Sequence, residues 1–262
     1  RTLILLLSAL TFGLLLAALF ASQSRGGWLA FAVAALVTIV AGSRRPGILV
    51  AGLVALGATA GLIGAFEGAV SQPGLSIGSS PVSVITQRLV DATEILTLRD
   101  IGTLEVTDAN FSTLERLAHW QAARDMWRDH PWLGVGFGNY AAIYPAYAVG
   151  RWLDPLGHAH NYLLNIGAEA GLIGITTYLI FWILTFGVTL RAIQRSNGFH
   201  RAAAVGVLGI FTHLHIHNLF DNLYVQGMYL HLAVIFAVIS IIIFEASAQQ
   251  PARQEDSSCS KP

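Results

Sequence analysis

The sequence predicts an all-α protein: a polytopic bundle of transmembrane helices carrying one long, partly helical extracytoplasmic loop. Three observations predict it. Hydrophobic residues make up 54% of the 262-residue chain and charged residues only 11%, with a mean hydropathy of +0.60, the composition of a membrane protein. Apolar runs of bilayer length recur along the chain. Between two groups of them lies a stretch too polar to span and too long for an ordinary connection. A formal net charge of zero offers no basic face for nucleic acid and no acidic tail for a basic partner. The single cysteine, Cys259 in the polar tail, excludes an internal disulfide framework and a Cys-rich metal site.

Crossing the hydrocarbon takes about 20 apolar residues, since about 30 Å must be covered at about 1.5 Å per residue. Six segments approach that length: Leu3 to Phe20, Gly27 to Gly42, Gly47 to Phe66, Gly171 to Leu190, Arg201 to Leu219 and Val225 to Phe244. The second is short and needs tilt, or snorkelling by Arg25 and Arg44, to match the membrane. The organisation expected is three transmembrane helices in 1–66, a large extracytoplasmic loop with amphipathic helices in 67–159, three more spans in 160–246 and a polar cytoplasmic tail in 247–262. The chain opens on Arg1 and not Met, so upstream sequence is expected; its first run is too long, and lacks the cleavage site, for a signal peptide. Arg44 and Arg45 share one short connection, and Arg191, Arg195 and Arg201 another. The positive-inside rule makes both cytoplasmic. Alternate crossings then put Arg25, the long loop and the Asp221-Asn222 turn together on the opposite side.

Within the loop, "LERLAHWQAARDMWRDH" from Leu114 to His130 places Leu117, Trp120, Ala123 and Trp127 at three- and four-residue spacing. That is one amphipathic helix, ended by Pro131. Arg116, Arg124 and Arg128 lie near one strip of it, close enough to converge on an anion; a helix lying in the headgroup layer with its tryptophans in lipid satisfies the same pattern. The weaker run from Val82 to Leu98 is a second candidate interfacial helix. In "HPWLGVGFGNY" three glycines alternate with apolar residues, a pattern of a tight packed turn more than of an anion-binding nest. Arg25, followed by Gly26-Gly27 at the mouth of the second span, is either a snorkelling anchor or a ligand-facing cation. His158 and His160 immediately precede the fourth span, and Asn161 opens a helix whose first N–H groups are unpaired. A neutral imidazole accepts a proton at ambient pH, which lipid anchoring does not require. "HLHIHNLFD" adds His213, His215 and His217, of which only the first and last share a helix face. That spacing argues against a metal site.

These stretches together resemble the O-antigen ligase and polymerase superfamily. The resemblance rests on "SRGGWLAF", on "RLAHWQAARDMWRDHPWLGVGFGNY", and above all on His160-Asn161 followed after nine residues by Gly171-Leu-Ile-Gly174. Ile175 stands where many members carry a further glycine. The resemblance runs from about Ser22 to Asn222; members usually have about twice as many spans, so these six would be the C-terminal half. It implies a metal-independent membrane glycosyltransferase with no cofactor. The donor would be a polyprenyl-diphosphate-linked glycan and the acceptor a glycan, lipid or protein hydroxyl, met on the outer face of the cytoplasmic (inner) membrane with membrane lipid as the surroundings. On that resemblance His160 is the base, Arg25 and Arg116 grip the donor diphosphate, and His158, Asn161 and Tyr140 support them. Ligase, polymerase and protein O-glycosyltransferase remain open. An anion transporter is the alternative of a different class, and would favour charges near mid-membrane.

Overall fold

The computed structural model describes residues 2–22, 24–43, 106–107 and 110–259; of Arg25 and of residues 247–259 it describes the backbone alone. The predicted third span, Gly47 to Phe66, and the candidate helix Val82 to Leu98 lie outside the described residues. Among those described the elements are helical: α1 (Thr2–Ala21), α2 (Arg25–Gly42), α3 (Phe111–Asp129), the short α4 (Tyr140–Ile143), a 3-10 turn (Tyr144–Ala146), α5 (Tyr162–Arg195), α6 (Gly198–His217) and α7 (Met228–Cys259). No strand occurs among them, and the one isolated bridge joins Val149 to Trp152. Among the described residues three helices are long and apolar enough to cross a membrane: α1, α5 and the part of α7 from Met228 to Ala246. Helix α2 provides a shorter apolar stretch, Gly26–Gly42. Helix α6 has the length of a span, 20 residues, but its four histidines and Arg201 dilute its apolar character. Helix α3 begins three residues before the predicted Leu114 and ends at Asp129, as its periodicity indicates.

The chain divides into two compact units, one of residues 1–44, 188–217 and 229–262, the other of 45–187 and 218–228. In the first unit α2 packs on α6 through small residues. A Cβ at Gly209 would lie 2.5 Å from Thr38 Oγ1, and one at Gly42 would lie 3.5 Å from Val205. Arg201 fastens the ends of two helices: Nη1 donates to Ile193 O at 2.7 Å and Nη2 to Ala41 O at 2.8 Å. Those carbonyls are among the last of their helices, which otherwise have no intrahelical donor. Ser24 caps α2, its Oγ accepting from Gly27 N at 3.1 Å.

The second unit is organised by a break in α5. Gly171 has φ 64° and ψ −157°, a conformation open in practice to glycine alone. Tyr162 and Tyr178 flank it, and in a straight helix they would be about 24 Å apart. Their rings are 5.4 Å apart instead. The helix therefore folds back on itself at Gly171, with small residues at the vertex: a Cβ at Gly174 would collide with Ala170 and one at Gly167 with Trp127. The break leaves backbone groups that need partners, and the glycine-rich loop after α3 supplies them. Val135 N donates to Ala168 O at 2.8 Å and Gly136 N to Glu169 O at 3.0 Å. In the other direction Leu172 N donates to Pro131 O at 2.8 Å and Ile173 N to Trp132 O at 3.3 Å. A Cβ on Gly134 would strike the backbone of Glu169, and one on Gly171 the backbone of Trp132. The alternating glycines thus form the packed turn their spacing indicates, and the Gly171-x-x-Gly174 half of the sequence motif is architectural.

Candidate active site

Against the folded-back arm, α3 supplies a face on which the site is built. Its buried residues are Leu114, Leu117, Ala118, His119, Ala122, Ala123 and Met126, a stripe displaced from the one read off the hydrophobic periodicity and including a histidine. Alanines at 122 and 123 let Tyr140, Tyr144 and Ala159 close against the helix, and Ala118 packs with Val149 and Trp152. Both tryptophans of α3 are turned to protein: Trp120 Nε1 donates to His160 O at 3.0 Å and Trp127 Nε1 to Pro131 O at 3.3 Å.

His160 sits in a tight turn ahead of α5 with φ 51°, a left-handed conformation uncommon for a non-glycine residue. Four contacts hold it. Trp120 holds its carbonyl, His158 Nδ1 accepts from its N–H at 3.2 Å, and Asn161 beside it caps α5, Oδ1 accepting from Leu164 N at 3.1 Å while Nδ2 donates to Leu219 O at 3.0 Å. The fourth is Asp221, whose Oδ1 lies 3.2 Å from His160 Nδ1. A carboxylate only accepts, so Nδ1 carries the hydrogen. In the neutral ring the lone pair is then on Nε2. That atom is buried and has no hydrogen-bond partner among the described residues.

The surroundings keep Asp221 ionised. Burial by itself would raise its carboxyl, but the His160 hydrogen bond, the Asn222 N–H and the charges of His160 and Arg116 outweigh burial and hold it at about 2. Arg116 lies on α3 with Nε buried and unpartnered among the described residues; its Nη1 reaches Ser112 O at 3.5 Å. Two further imidazoles meet His160 edge-on, His158 at 4.4 Å and His119 at 5.6 Å between centroids. His119 is 1% exposed, stacks on Tyr144 at 4.7 Å and pairs through Nδ1 with Tyr140 Oη at 3.0 Å. Burial, then the charges of His160 and His158, lower it to about 4, so it is neutral at ambient pH. His158 is lowered too, first by burial and then by the charge of His160. Burial, reinforced by Glu115 and Asp154, pushes the Tyr144 hydroxyl up to about 12.

Of the residues singled out from sequence, His160, His158, Asn161 and Arg116 belong to one neighbourhood, and Tyr140 stands one ring away behind His119. Arg25 opens α2 in the other unit, and its side chain lies outside the described residues. Arg124 pairs with its neighbour Asp125 at 2.9 Å and Arg128 is exposed, so neither joins Arg116. The sequence reading missed Asp221 and His119. Asp221 is 61 residues from His160 and looks like a turn residue; its only signal is that alternate crossings, as read from the sequence, put its turn and the long loop on the same side. Ligand atoms of His158, His160 and Asp221 lie within 4.8 Å of one another, a donor set that transition metals accept. A dication there would have to displace the His160 hydrogen bond and compete with the charge of Arg116.

The family model described as O-antigen ligase matches residues 10–179. That span contains Arg25, Arg116, His160, Gly171 and Gly174 and stops short of Asp221. No curated protein matches the chain. With about two-thirds of the sequence under one family model and the His160-Asn161 and Gly171-x-x-Gly174 elements inside it, the chain belongs to the O-antigen ligase family.

Proposed function

We propose that the protein transfers a glycan from a polyprenyl-diphosphate donor to an acceptor hydroxyl at the outer face of the cytoplasmic membrane, with His160 as general base. The observation that carries this reading is the open, buried Nε2 of a histidine whose Nδ1 is held by an ionised Asp221. Such a pair takes a proton from a hydroxyl and stabilises the resulting imidazolium. The acceptor oxygen then attacks the anomeric carbon as the bond from that carbon to the diphosphate oxygen breaks, and the electron pair leaves with the polyprenyl diphosphate. Arg116, with an unpartnered Nε, offers a planar fork to that anion. Arg25 is proposed as a second donor cation on the family resemblance alone. Asn161, His158 and Tyr140 are proposed to act through the polar contacts that shape the His160 turn and the His119 wall.

The test is reconstitution of the full-length protein into proteoliposomes with a polyprenyl-diphosphate glycan and, separately, lipid-core, glycan and protein acceptors. Formation of one glycosylated acceptor with release of polyprenyl diphosphate is the expected result, and the acceptor used distinguishes ligase, polymerase and protein glycosylase. Anion uptake without any transfer would overturn the reading in favour of a transporter.

A further inference from the structure

The loop that plugs the broken helix also carries the two most exposed large apolar side chains among the described residues of its unit, Phe137 and Leu133, with Trp132 beside them. Trp132 is 65% exposed, Leu133 70% and Phe137 80%. They are not on a floppy strand. Gly134, Gly136 and Gly138 take positive φ, and the backbone bonds from Leu172 and Ile173 to Pro131 and Trp132 tie the loop to the first residues after the vertex.

What covers these side chains follows from their neighbours. Beyond Gly171, α5 exposes Leu172, Ile173, Ile180, Ile183 and Leu184, with Leu179 and Phe181 beside them, over about half of the helix circumference. That face belongs to a helix apolar enough to cross a membrane, so its exposed strip is lipid-facing. The strip does not stop at the vertex. Leu172 and Ile173 are exposed at its end, and their backbones are bonded to the residues that present Trp132 and Leu133. The apolar stretch from Gly171 to Leu190 is itself about one bilayer crossing in length, which places the vertex at the boundary of the hydrocarbon. Exposed Arg128 and His130 precede the loop, a basic-then-aromatic order suited to lipid headgroups above acyl chains.

We infer that the loop from Trp132 to Phe137 is a wedge inserted among the acyl chains of the leaflet nearer the site. Its partner is the lipid of the bilayer. Because the same loop is bonded to Ala168 and Glu169 on the arm that folds back from the vertex toward His160, the wedge fixes the depth of the site relative to the membrane surface.

The experiment uses spin labels on the full-length protein with Cys259→Ser, reconstituted in phosphatidylethanolamine–phosphatidylglycerol vesicles, with a single label at Phe137→Cys, Leu133→Cys or, as reference, the exposed Arg151→Cys. Power saturation compares collision with oxygen, which concentrates in hydrocarbon, and with a water-soluble nickel complex. Oxygen should dominate at 133 and 137, and nickel at 151. Nickel dominance at both loop positions overturns the wedge. Oxygen dominance at all three positions overturns it too, because the insertion would not then be a property of this loop. Neither readout depends on transfer activity, and two label sites guard against one label disturbing the fold.

Discussion

Two regions of the molecule each gather three histidines, and they differ in what the rings meet. Around the vertex of α5, His119, His158 and His160 share a neighbourhood with an ionised carboxylate and a guanidinium carrying an open Nε. On α6, His213 and His217 pack ring to ring at 5.6 Å, Ser24 Oγ lies 3.5 Å from His217 Nε2, and His215 Nδ1 donates to Phe211 O at 2.7 Å. The partners of the second group include a hydroxyl, a carbonyl and each other. Histidine alone is therefore a weak indicator of chemistry. What marks the first group is the ionised carboxylate on the Nδ1 of His160 and the guanidinium beside that carboxylate, charges placed to respond to a proton on Nε2.

The largest effect that tests the comparison is architectural. Gly171→Val should prevent the fold-back: a non-glycine residue at that φ and ψ costs about 1–3 kcal/mol in strain, and the added side chain meets the backbone of Trp132. Thermal unfolding in detergent should show a loss above about 3 kcal/mol together with loss of transfer, whereas Gly187→Ala, on the same helix with open space around it, should unfold as wild type. Next in size is the pH dependence of stability. His119 has a folded-state value of about 4 against 6.5 unfolded, so the unfolded chain binds the proton first as pH falls. Its contribution is full above pH 6.5 and disappears by pH 4, about 3 kcal/mol in all. Asp221, depressed to about 2 from 3.8, adds a loss of the same sign below pH 4. Melting temperatures between pH 7.5 and 4.5 should fall for wild type and fall less for His119→Phe.

Smaller effects concern transfer. Asp221→Asn keeps an acceptor for Nδ1 and removes the charge that stabilises imidazolium, a hydrogen bond to a charged group worth about 1.5–3 kcal/mol, or roughly 10- to 100-fold in rate. Arg116→Lys keeps charge and loses the fork, and should weaken donor binding roughly tenfold; a lysine variant with wild-type donor affinity would remove the bidentate role. Arg128→Lys, at an exposed position, should change transfer and stability by less than about 0.5 kcal/mol.

Much of the helical plan is legible in the sequence because burial in lipid demands apolar runs of fixed length, and the predicted fourth span begins at Gly171, the residue where α5 breaks. The fold-back itself is not legible. A glycine at the head of an apolar run gives no sign of which backbone will meet it, and the partner loop around Gly134 is far away in the chain. The amphipathic helix is legible to within three residues at its start. Its buried face is less so, since hydrophobic periodicity passes over His119, a polar residue that burial accepts only because Tyr140 satisfies it. His160 and Arg116 stand out through the motifs around them. Asp221 has no such motif, and only tertiary structure joins it to His160.

The most direct measurement takes the full-length protein with His160→Ala and, because Asn tolerates the left-handed backbone found here, His160→Asn, and determines transfer rate and donor affinity for each beside His158→Ala. With His160 as the base, both variants should lose about 10² to 10⁴ in rate while donor affinity stays within a factor of about 2, and His158→Ala should lose much less. Wild-type transfer by either His160 variant, or a loss of donor affinity equal to the loss of rate, would contradict the base assignment and leave His160 as a residue that shapes the pocket or binds the donor.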